Sequence, residues 1–305
     1  MYRFDEIKDR LTEMARVRKK VVAVAAAGDK VVLETIKIMN EHGFGRAILV
    51  GDADKIKQYA KEVGCDLSEN TIVDEKDEKR AAALAVARVR DGEADILMKG
   101  LLQTKTYLQA ILNRDHGLRT GKLLNAVTAF EAPHLDRMIL ATDCGMIVAP
   151  SLKDKIEMIG NATRLANALG CRHPKVSCVS AVETVNDNMP DGIDAAILSK
   201  MNERGQIKGC IIDGPLSMDL SISEMSVEHK GIVSPVAGKA DVLLMPNLQA
   251  GNIFWKTMTY LAGAKSGAVV MGTAKPAVLT SRADTAEAKL NSVAMALLLA
   301  AHQKR

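Results

Sequence analysis

Short apolar runs alternate with helix-length amphipathic segments through the first hundred residues, and this alternation restricts the fold more than any other feature. Residues 21–27 (VVAVAAA) and 94–100 (ADILMKG) have the composition of buried strands, and RAILVG and NTIVD are shorter runs of the same kind. Asp29 and Asp52 stand where the intervening helices would begin, and Asp is a preferred N-cap residue. The βαβα order predicts a parallel, doubly wound sheet.

The pattern changes near Leu123. Residues 123–150 contain strand-like runs with short breaks, which are more typical of antiparallel pairing. The helical segment SLKDKIEMIGNATRLANALG follows, then the strands KVSCVSAV, GCIIDGPL, ADVLLMP and GAVVMG, and an Ala- and Leu-rich helix covers about residues 284–303. No Pro/Ser linker separates the two parts of the chain. The sequence therefore predicts two α/β domains with a cleft between them.

Composition restricts the partners and the compartment. Hydrophobic residues make up 48% of the chain and aromatic residues only 3%, which suits aliphatic cores between helices and a parallel sheet. The formal net charge is +4 with both signs interleaved, so we expect no nucleic-acid partner. The five cysteines form no CxxC pair, and no apolar run reaches the ~18 residues of a membrane span. We therefore expect a cytoplasmic protein that binds no membrane.

The segment SPVAGKADVLLMPNLQAGNIFWK (residues 234–256) contains a candidate anion site. Lys239 follows a glycine, as in a phosphate-binding loop, but the next residue is not the required Ser or Thr, which excludes a nucleoside triphosphatase. ADVLLMP predicts a strand, NLQAGN a turn and IFWKTMTYLAG a helix, so Gly251 and Asn252 would stand at the helix start. Free N–H groups there favour a phosphate, and Asn247 can donate from its side chain. An ordinary turn and a solvent-exposed Lys239 fit the same pattern.

Two further strand ends carry candidate binding residues. MKGLLQTKTYLQAIL predicts a strand–helix junction at which Gly100, Gln103 and Thr104 would help to bind a phosphate group, although Thr104 would serve equally as a helix cap. Asp213 follows the strand GCII, and ligands of open α/β sheets bind at the carboxyl ends of strands. Asp213 could orient a cation of the site or simply fix a turn.

Three ordered segments together resemble a known family. DGPLSMDLSIS, SPVAGKADVLLMPNLQAGN and TSRADT (residues 213–223, 234–252 and 280–285) are similar to the phosphate acetyl/butyryl transferases, and the resemblance covers nearly the whole chain. FEAPHLDRMILATDCGMIVAP resembles the butyryl branch more than the acetyl branch. The resemblance implies the reaction acyl-CoA + phosphate ⇌ acyl phosphate + CoA, with butanoyl-CoA as the expected substrate and acetyl-CoA as the alternative.

The resemblance also implies an architecture. It predicts a fold similar to the isocitrate and isopropylmalate dehydrogenases, in which the last helix returns to the first domain. The first domain would comprise residues 1–130 plus 278–305, and the second residues 131–277. A homodimer or a higher homo-oligomer is expected.

The family's site residues transfer to the TSRADT segment. The resemblance implies that Ser281 and Arg282 lie in the cleft, where they hold phosphate and neutralise the developing oxyanion. The acetyl branch has an Asp seven residues after the Ser as a proposed base for the CoA thiol, but that position is Ala288 here. Asp284 is the nearest carboxylate, and it would either replace that base or cap the final helix. The reaction requires no metal and no permanently bound cofactor, because acyl-CoA is a substrate.

Other chemistries remain as alternatives. Cys144, Cys171, Cys178 and Cys210 have apolar neighbours, which predicts buried structural thiols and favours direct attack of CoA on the acyl phosphate in a ternary complex. A metal- and NAD-dependent 2-hydroxy acid dehydrogenase would require a carboxylate cluster and a nucleotide loop, and the sequence contains neither. A non-catalytic acyl-CoA binder is disfavoured because the Ser-Arg pair is intact.

Overall fold

A computed structural model describes residues 1–281 and 283–303. The chain divides into two compact units, which we call the terminal unit (Phe4–Lys122 and Gly267–Arg305) and the central unit (Met1–Arg3 and Leu123–Ser266). Both units contain helices and strands of a mixed β-sheet, so the α/β class is confirmed.

The elements alternate along the chain, as the sequence predicts. The first part of the terminal unit contains α1 (Phe4–Ala15), β1 (Lys20–Ala25), α2 (Lys30–His42), β2 (Gly45–Gly51), α3 (Ala53–Val63), β3 (Thr71–Asp74), α4 (Glu78–Arg90), β4 (Ile96–Lys99) and α5 (Thr104–Ile111). The central unit contains β5 (Asn125–Glu131), β6 (Ile139–Thr142), α6 (Leu152–Ala168), β7 (Lys175–Val179), α7 (Pro190–Glu203), β8 (Ile211–Leu216), α8 (Met218–Ile222), α9 (Glu224–Lys230), β9 (Val242–Leu244) and α10 (Leu248–Tyr260). The chain then returns to the terminal unit through β10 (Lys265–Met271), β11 (Ala277–Val278) and α11 (Ala286–His302).

The sheet of the terminal unit has the strand order β3-β2-β1-β4-β11-β10. Strands β1 to β4 pair in parallel, as the βαβα pattern predicts, and β11 joins β4 in parallel while β10 is antiparallel to β11. Strand β1 lies inside the sheet and is buried along its whole length. A strand covered on both faces requires a continuous apolar sequence, which explains VVAVA.

The predicted helix starts at Asp29 and Asp52 are confirmed. The Asp29 carboxylate accepts a hydrogen bond from the Val32 N–H at 3.0 Å, and Asp52 caps α3 by accepting from the Asp54 and Lys55 N–H groups. Each carboxylate satisfies N–H groups that have no partner within the first helical turn. These helix starts are therefore determined locally by the sequence.

The sheet of the central unit has the order β5-β6-β9-β7-β8. Strands β5 and β6 are antiparallel, as their spacing predicts, whereas β6, β9, β7 and β8 pair in parallel. The carboxyl ends of these four neighbouring strands therefore lie on the same side of the sheet. Open α/β sheets bind ligands at the carboxyl ends of their strands.

Helix α11 is enclosed by its own unit. Every residue from Lys289 to Ala300 is buried, and the helix contacts α1, α2, β4 and β11. Burial on all sides explains why its Ala- and Leu-rich sequence shows little amphipathic pattern. Within residues 1–281 and 283–303, the structure contains no helix with the length and apolarity that crossing a membrane requires.

Two predicted element boundaries were wrong. Helix α10 starts at Leu248 and is capped by Asn247, so Gly251 lies inside the helix and not at its start. Strand β8 continues through Pro215 to Leu216, so Asp213 is the third residue of the strand and not its carboxyl end. Proline is tolerated there because β8 is the edge strand, in which a missing N–H interrupts no inner ladder.

Candidate functional site

The loop before α11 holds Ser281 through its backbone. The Ser281 N–H donates to the Asp284 carboxylate at 2.7 Å, and the Lys289 ammonium donates to the Ser281 carbonyl oxygen at 2.7 Å. Thr285, not Asp284, caps the helix by accepting from the Ala288 N–H, so the N-cap alternative for Asp284 was wrong. Arg282 lies outside the described residues. Asp284 therefore holds the backbone at Ser281.

Lys289 is a buried cation under this loop, and sequence reasoning missed it. It is only 3% exposed, and burial lowers the pKa of its ammonium while the nearby Asp284 and Asp29 carboxylates act in the opposite direction. Lys289 lies eight residues after Ser281, outside the TSRADT segment, so no sequence motif pointed to it. The structure adds a positively charged group within hydrogen-bonding distance of the predicted catalytic segment.

The junction between β4 and α5 lies beside the loop before α11. Thr280 approaches the Lys99 carbonyl oxygen to 3.5 Å, which brings the loop before α11 next to Gly100. A methyl carbon on Gly100 would lie 2.2 Å from the Ala26 carbonyl oxygen, so glycine is required by the close approach of the backbone that leaves β1. The helix α5 starts here, as predicted, but its N-cap is Gln103, so the alternative of Thr104 as the cap was wrong. The Gln103 side chain makes no capping hydrogen bond.

The Gly100 N–H is already bonded within the sheet. It donates to the Ala25 carbonyl oxygen at 2.8 Å, and the Leu101 N–H donates to Ala26 at 2.9 Å. A phosphate at this junction would therefore contact Gln103 and Thr104, at the start of α5, instead of Gly100. The role of Gln103 and Thr104 in binding stays a prediction.

The first turns of α10 are held by the loop that follows β6. The Asn247 side chain accepts from the Ala250 N–H at 2.9 Å, and the Asn252 amide donates to the Cys144 carbonyl oxygen at 3.3 Å. A methyl carbon on Gly251 would lie 2.1 Å from the Asp143 carbonyl oxygen. The Gly251 N–H donates to Asn247 within the helix, so glycine here permits close packing of backbones, and this amide is not free for an anion.

The remaining predicted binding residues occupy ordinary surroundings. Lys239 is exposed and pairs with Glu224 at 3.5 Å, which is the solvent-exposed alternative stated above. Asp213 is half-buried, and its carboxylate accepts from the Gly214 N–H at 2.9 Å, which is a turn-type contact. Within residues 1–281 and 283–303, neither residue forms a hydrogen bond or an ion pair with another predicted site residue, and their roles in binding stay predictions.

A pocket opens at the carboxyl ends of β7 and β9, which are adjacent parallel strands of the central unit. Its volume is about 500 Å³, and most of its walls are apolar. The side chains that form these walls include Val179, Met189, Met218, Met245, Ile253 and Phe254. The predicted binding residue Asn247 also lines it, together with Ser180, Asp191 and Thr257. An apolar cavity with a few polar groups is typical of small-molecule sites, whose volumes span ~300–1,000 Å³.

The five cysteines are free thiols with raised pKa values. Burial raises the pKa of Cys65 and Cys171 to about 11 and that of Cys178 to about 12, and it also raises the pKa of Cys144 and Cys210. Because the thiolate is the nucleophilic form, these environments oppose covalent catalysis. The predicted buried thiols are confirmed for all but Cys171, which is half-buried.

The described residues contain no metal centre. Across residues 1–281 and 283–303, no three His, Cys, Asp or Glu side chains gather in a way that could hold a metal ion.

Comparison with known proteins gives a family match over most of the chain. The family described as "Phosphate acetyl/butaryl transferase" matches residues 6–85 and 78–297. A phosphate butyryltransferase from Clostridium beijerinckii is 48% identical over 99% of this chain and 99% of its own length. A phosphate acetyltransferase from Thermotoga maritima is 43% identical over 96% of this chain and 99% of its own length. These matches confirm the family that residues 213–223, 234–252 and 280–285 resemble.

A solved structure with the same fold supports the match. A branched-chain phosphotransacylase from Enterococcus faecalis V583 superimposes with a TM-score of 0.81 at 32% identity, covering 92% of this chain and 99% of that chain. Both the sequence and the three-dimensional comparison therefore extend across the terminal and central units.

Proposed function

Because the chain belongs to the phosphate acetyl/butyryl transferase family, we propose that it is a phosphate butyryltransferase, which converts butanoyl-CoA and phosphate to butanoyl phosphate and CoA. The observation that carries this proposal is the 48% identity with a phosphate butyryltransferase over nearly the whole of both chains. Phosphate acetyltransferase is the second candidate, favoured by a relative of that name at 43% identity. Both are acyltransferases.

The proposal is tested by CoA release. We expect purified protein to release CoA from butanoyl-CoA only when inorganic phosphate is present, with a kcat/KM for butanoyl-CoA above that for acetyl-CoA. Free thiol is measured with a chromogenic disulfide reagent, and omission of phosphate is the control. A preference for acetyl-CoA would select the second candidate, and no phosphate-dependent release with any short acyl-CoA would reject the family activity for this chain.

The proposed chemistry places an anion at the loop before α11. Arg282 and the Ser281 hydroxyl would hold the phosphate and stabilise the oxyanion, and the Lys289 ammonium would keep the loop in place by binding the Ser281 carbonyl oxygen. Asp284 accepts from the Ser281 N–H through one carboxylate oxygen. Its second oxygen is the candidate acceptor for the CoA thiol proton, as the sequence suggests.

Acyl transfer proceeds directly in this proposal. The CoA thiolate attacks the carbonyl carbon of the acyl phosphate, the carbon–oxygen bond to phosphate breaks, and phosphate leaves with the bonding electron pair. The raised pKa values of the cysteines favour this ternary-complex route over an acyl-cysteine intermediate. The reaction balances with acyl-CoA and phosphate alone, so we propose no permanently bound cofactor.

We also propose that the terminal and central units correspond to the two domains expected from the sequence. The division observed at residues 122 and 267 differs from the expected boundaries at 131 and 278 by about ten residues. The proposed fold is that of the isocitrate dehydrogenases, with two α/β domains. The free cysteines are consistent with a cytoplasmic enzyme.

A homodimer is the proposed assembly. Tyr260, the last residue of helix α10, is 66% exposed. Leu261, directly after it, is 84% exposed. Apolar surface of this kind is typical of an interface between subunits. Sedimentation equilibrium is expected to give twice the mass of the 32.8 kDa chain, and a monomer at micromolar concentration would contradict the assembly.

A further inference from the structure

The pocket at the ends of β7 and β9 contains one hydroxyl group that the fold leaves without a partner. Ser180 lines the pocket and is 6% exposed, and its Oγ makes no hydrogen bond to any residue that the structure describes. A buried hydroxyl without a partner is costly, and native proteins usually satisfy such groups. The nearby Ser177 and Ser221 hydroxyls show the usual arrangement, because they bond to each other at 2.7 Å. Ser180 is therefore suited to a bond with a ligand.

The charges around the pocket select the kind of ligand. Asp191 is the single charged residue among the described residues that line it, and its charge is negative. Lys155 lines a small adjoining cavity, but its ammonium pairs with Asp194 at 2.7 Å. Phosphate and the nucleotide end of CoA would be repelled here. The uncharged parts of an acyl-CoA, which are the acyl chain and the pantetheine arm, fit the pocket.

Resting on the proposed function, we propose that this pocket binds the acyl group, and that the Ser180 hydroxyl donates a hydrogen bond to the acyl carbonyl oxygen. In this proposal the acyl chain of the substrate lies against the side chains of Val179, Met218, Met245 and Phe254. Three of the lining residues are methionines, whose flexible side chains adapt to different apolar shapes. An apolar cavity of ~150 Å³ already accommodates a benzene-sized group. The larger volume found here fits four- to six-carbon and branched acyl groups.

The first test replaces the hydroxyl. Ser180→Ala removes a group that has no partner among the described residues, so the thermal midpoint of unfolding should not fall. The value of kcat/KM for butanoyl-CoA should fall about 5-fold, as expected for a lost neutral hydrogen bond. Unchanged kcat/KM would overturn the role of Ser180. A lower thermal midpoint together with a normal kcat/KM would show a purely structural hydroxyl and would also overturn it.

The second test reduces the space that the pocket offers to the acyl chain. Ala250 lines the pocket from α10, and Ala250→Leu adds three carbons to the wall. The ratio of kcat/KM for hexanoyl-CoA to that for acetyl-CoA should fall about 10-fold, because each methylene is discriminated by roughly 10-fold or more in an apolar pocket. Ala83→Leu places the same side chain at an exposed position of α4 and should leave the ratio unchanged.

The outcomes separate the proposals. An equal loss for all chain lengths in Ala250→Leu would assign the pocket to the pantetheine arm and overturn the acyl site. An unchanged ratio would also overturn it. Absence of phosphate-dependent CoA release in the unsubstituted protein would instead reject the proposed function, so the two failures are distinguishable.

Discussion

Arg282→Ala is expected to lower kcat/KM for butanoyl transfer by about 100-fold or more. The guanidinium carries a permanent positive charge and a rigid set of donors that matches a phosphate or a developing oxyanion. Loss of one such donor typically costs ~10²–10³ in rate, or ~3–4 kcal/mol of transition-state stabilisation. The measurement is the phosphate-dependent release of CoA at several butanoyl-CoA concentrations, with the thermal midpoint of unfolding recorded for each variant.

Two matched variants make this result specific. Arg282→Lys keeps the charge but loses the two-pronged geometry, so its kcat/KM should lie between those of the unsubstituted protein and the alanine variant. Arg46→Ala removes an exposed arginine of β2 and should stay within about twofold of normal. Equal turnover in Arg282→Ala and Arg46→Ala would show that another cation supports the reaction, with Lys289 as the first residue to examine.

Sequence reasoning succeeded where local interactions determine structure. The caps at Asp29 and Asp52 need only the following three residues, and the parallel pairing of β1 to β4 follows from apolar runs separated by helices. The family assignment came from three ordered segments that end with TSRADT, and it was confirmed by the comparisons. Each of these signals is contained within a short stretch of chain.

Reasoning from the sequence failed where the deciding partner lies elsewhere in the chain. Residues 247–252 were predicted to form a turn before the helix, whereas α10 begins at Leu248 and Gly251 packs inside it against Asp143, more than a hundred residues earlier. Ser180 gave no signal, because a missing hydrogen-bond partner is a property of the packed structure. Lys289 was missed for the same reason, since its contact with Ser281 requires the start of α11 to fold back under the loop.

Gly251→Ala is expected to destabilise the protein by at least ~1–3 kcal/mol, the usual cost of overfilling a packed site. Its added carbon would lie 2.1 Å from the Asp143 carbonyl oxygen and 3.1 Å from the Cys144 Cα, and both are backbone atoms that no side-chain rotation can move. The shift would separate α10 from the loop after β6 and displace the pocket wall formed by Ile253 and Phe254. We therefore expect Gly251→Ala to unfold at a lower urea concentration and to discriminate less between acyl-CoA substrates of different chain length.

Gly160→Ala provides the matched comparison, because Gly160 also lies inside a helix of the central unit but has no heavy atom within 4 Å of an added carbon. Alanine is favoured over glycine in helices by ~1 kcal/mol, so this variant should be as stable as the unsubstituted protein or slightly more stable. The same intrinsic gain acts at Gly251, so a net loss there measures the steric contact itself. If both alanine variants were equally stable, α10 would have to pack less closely on Asp143 than the structure shows, and the pocket beside it would lose its fixed wall.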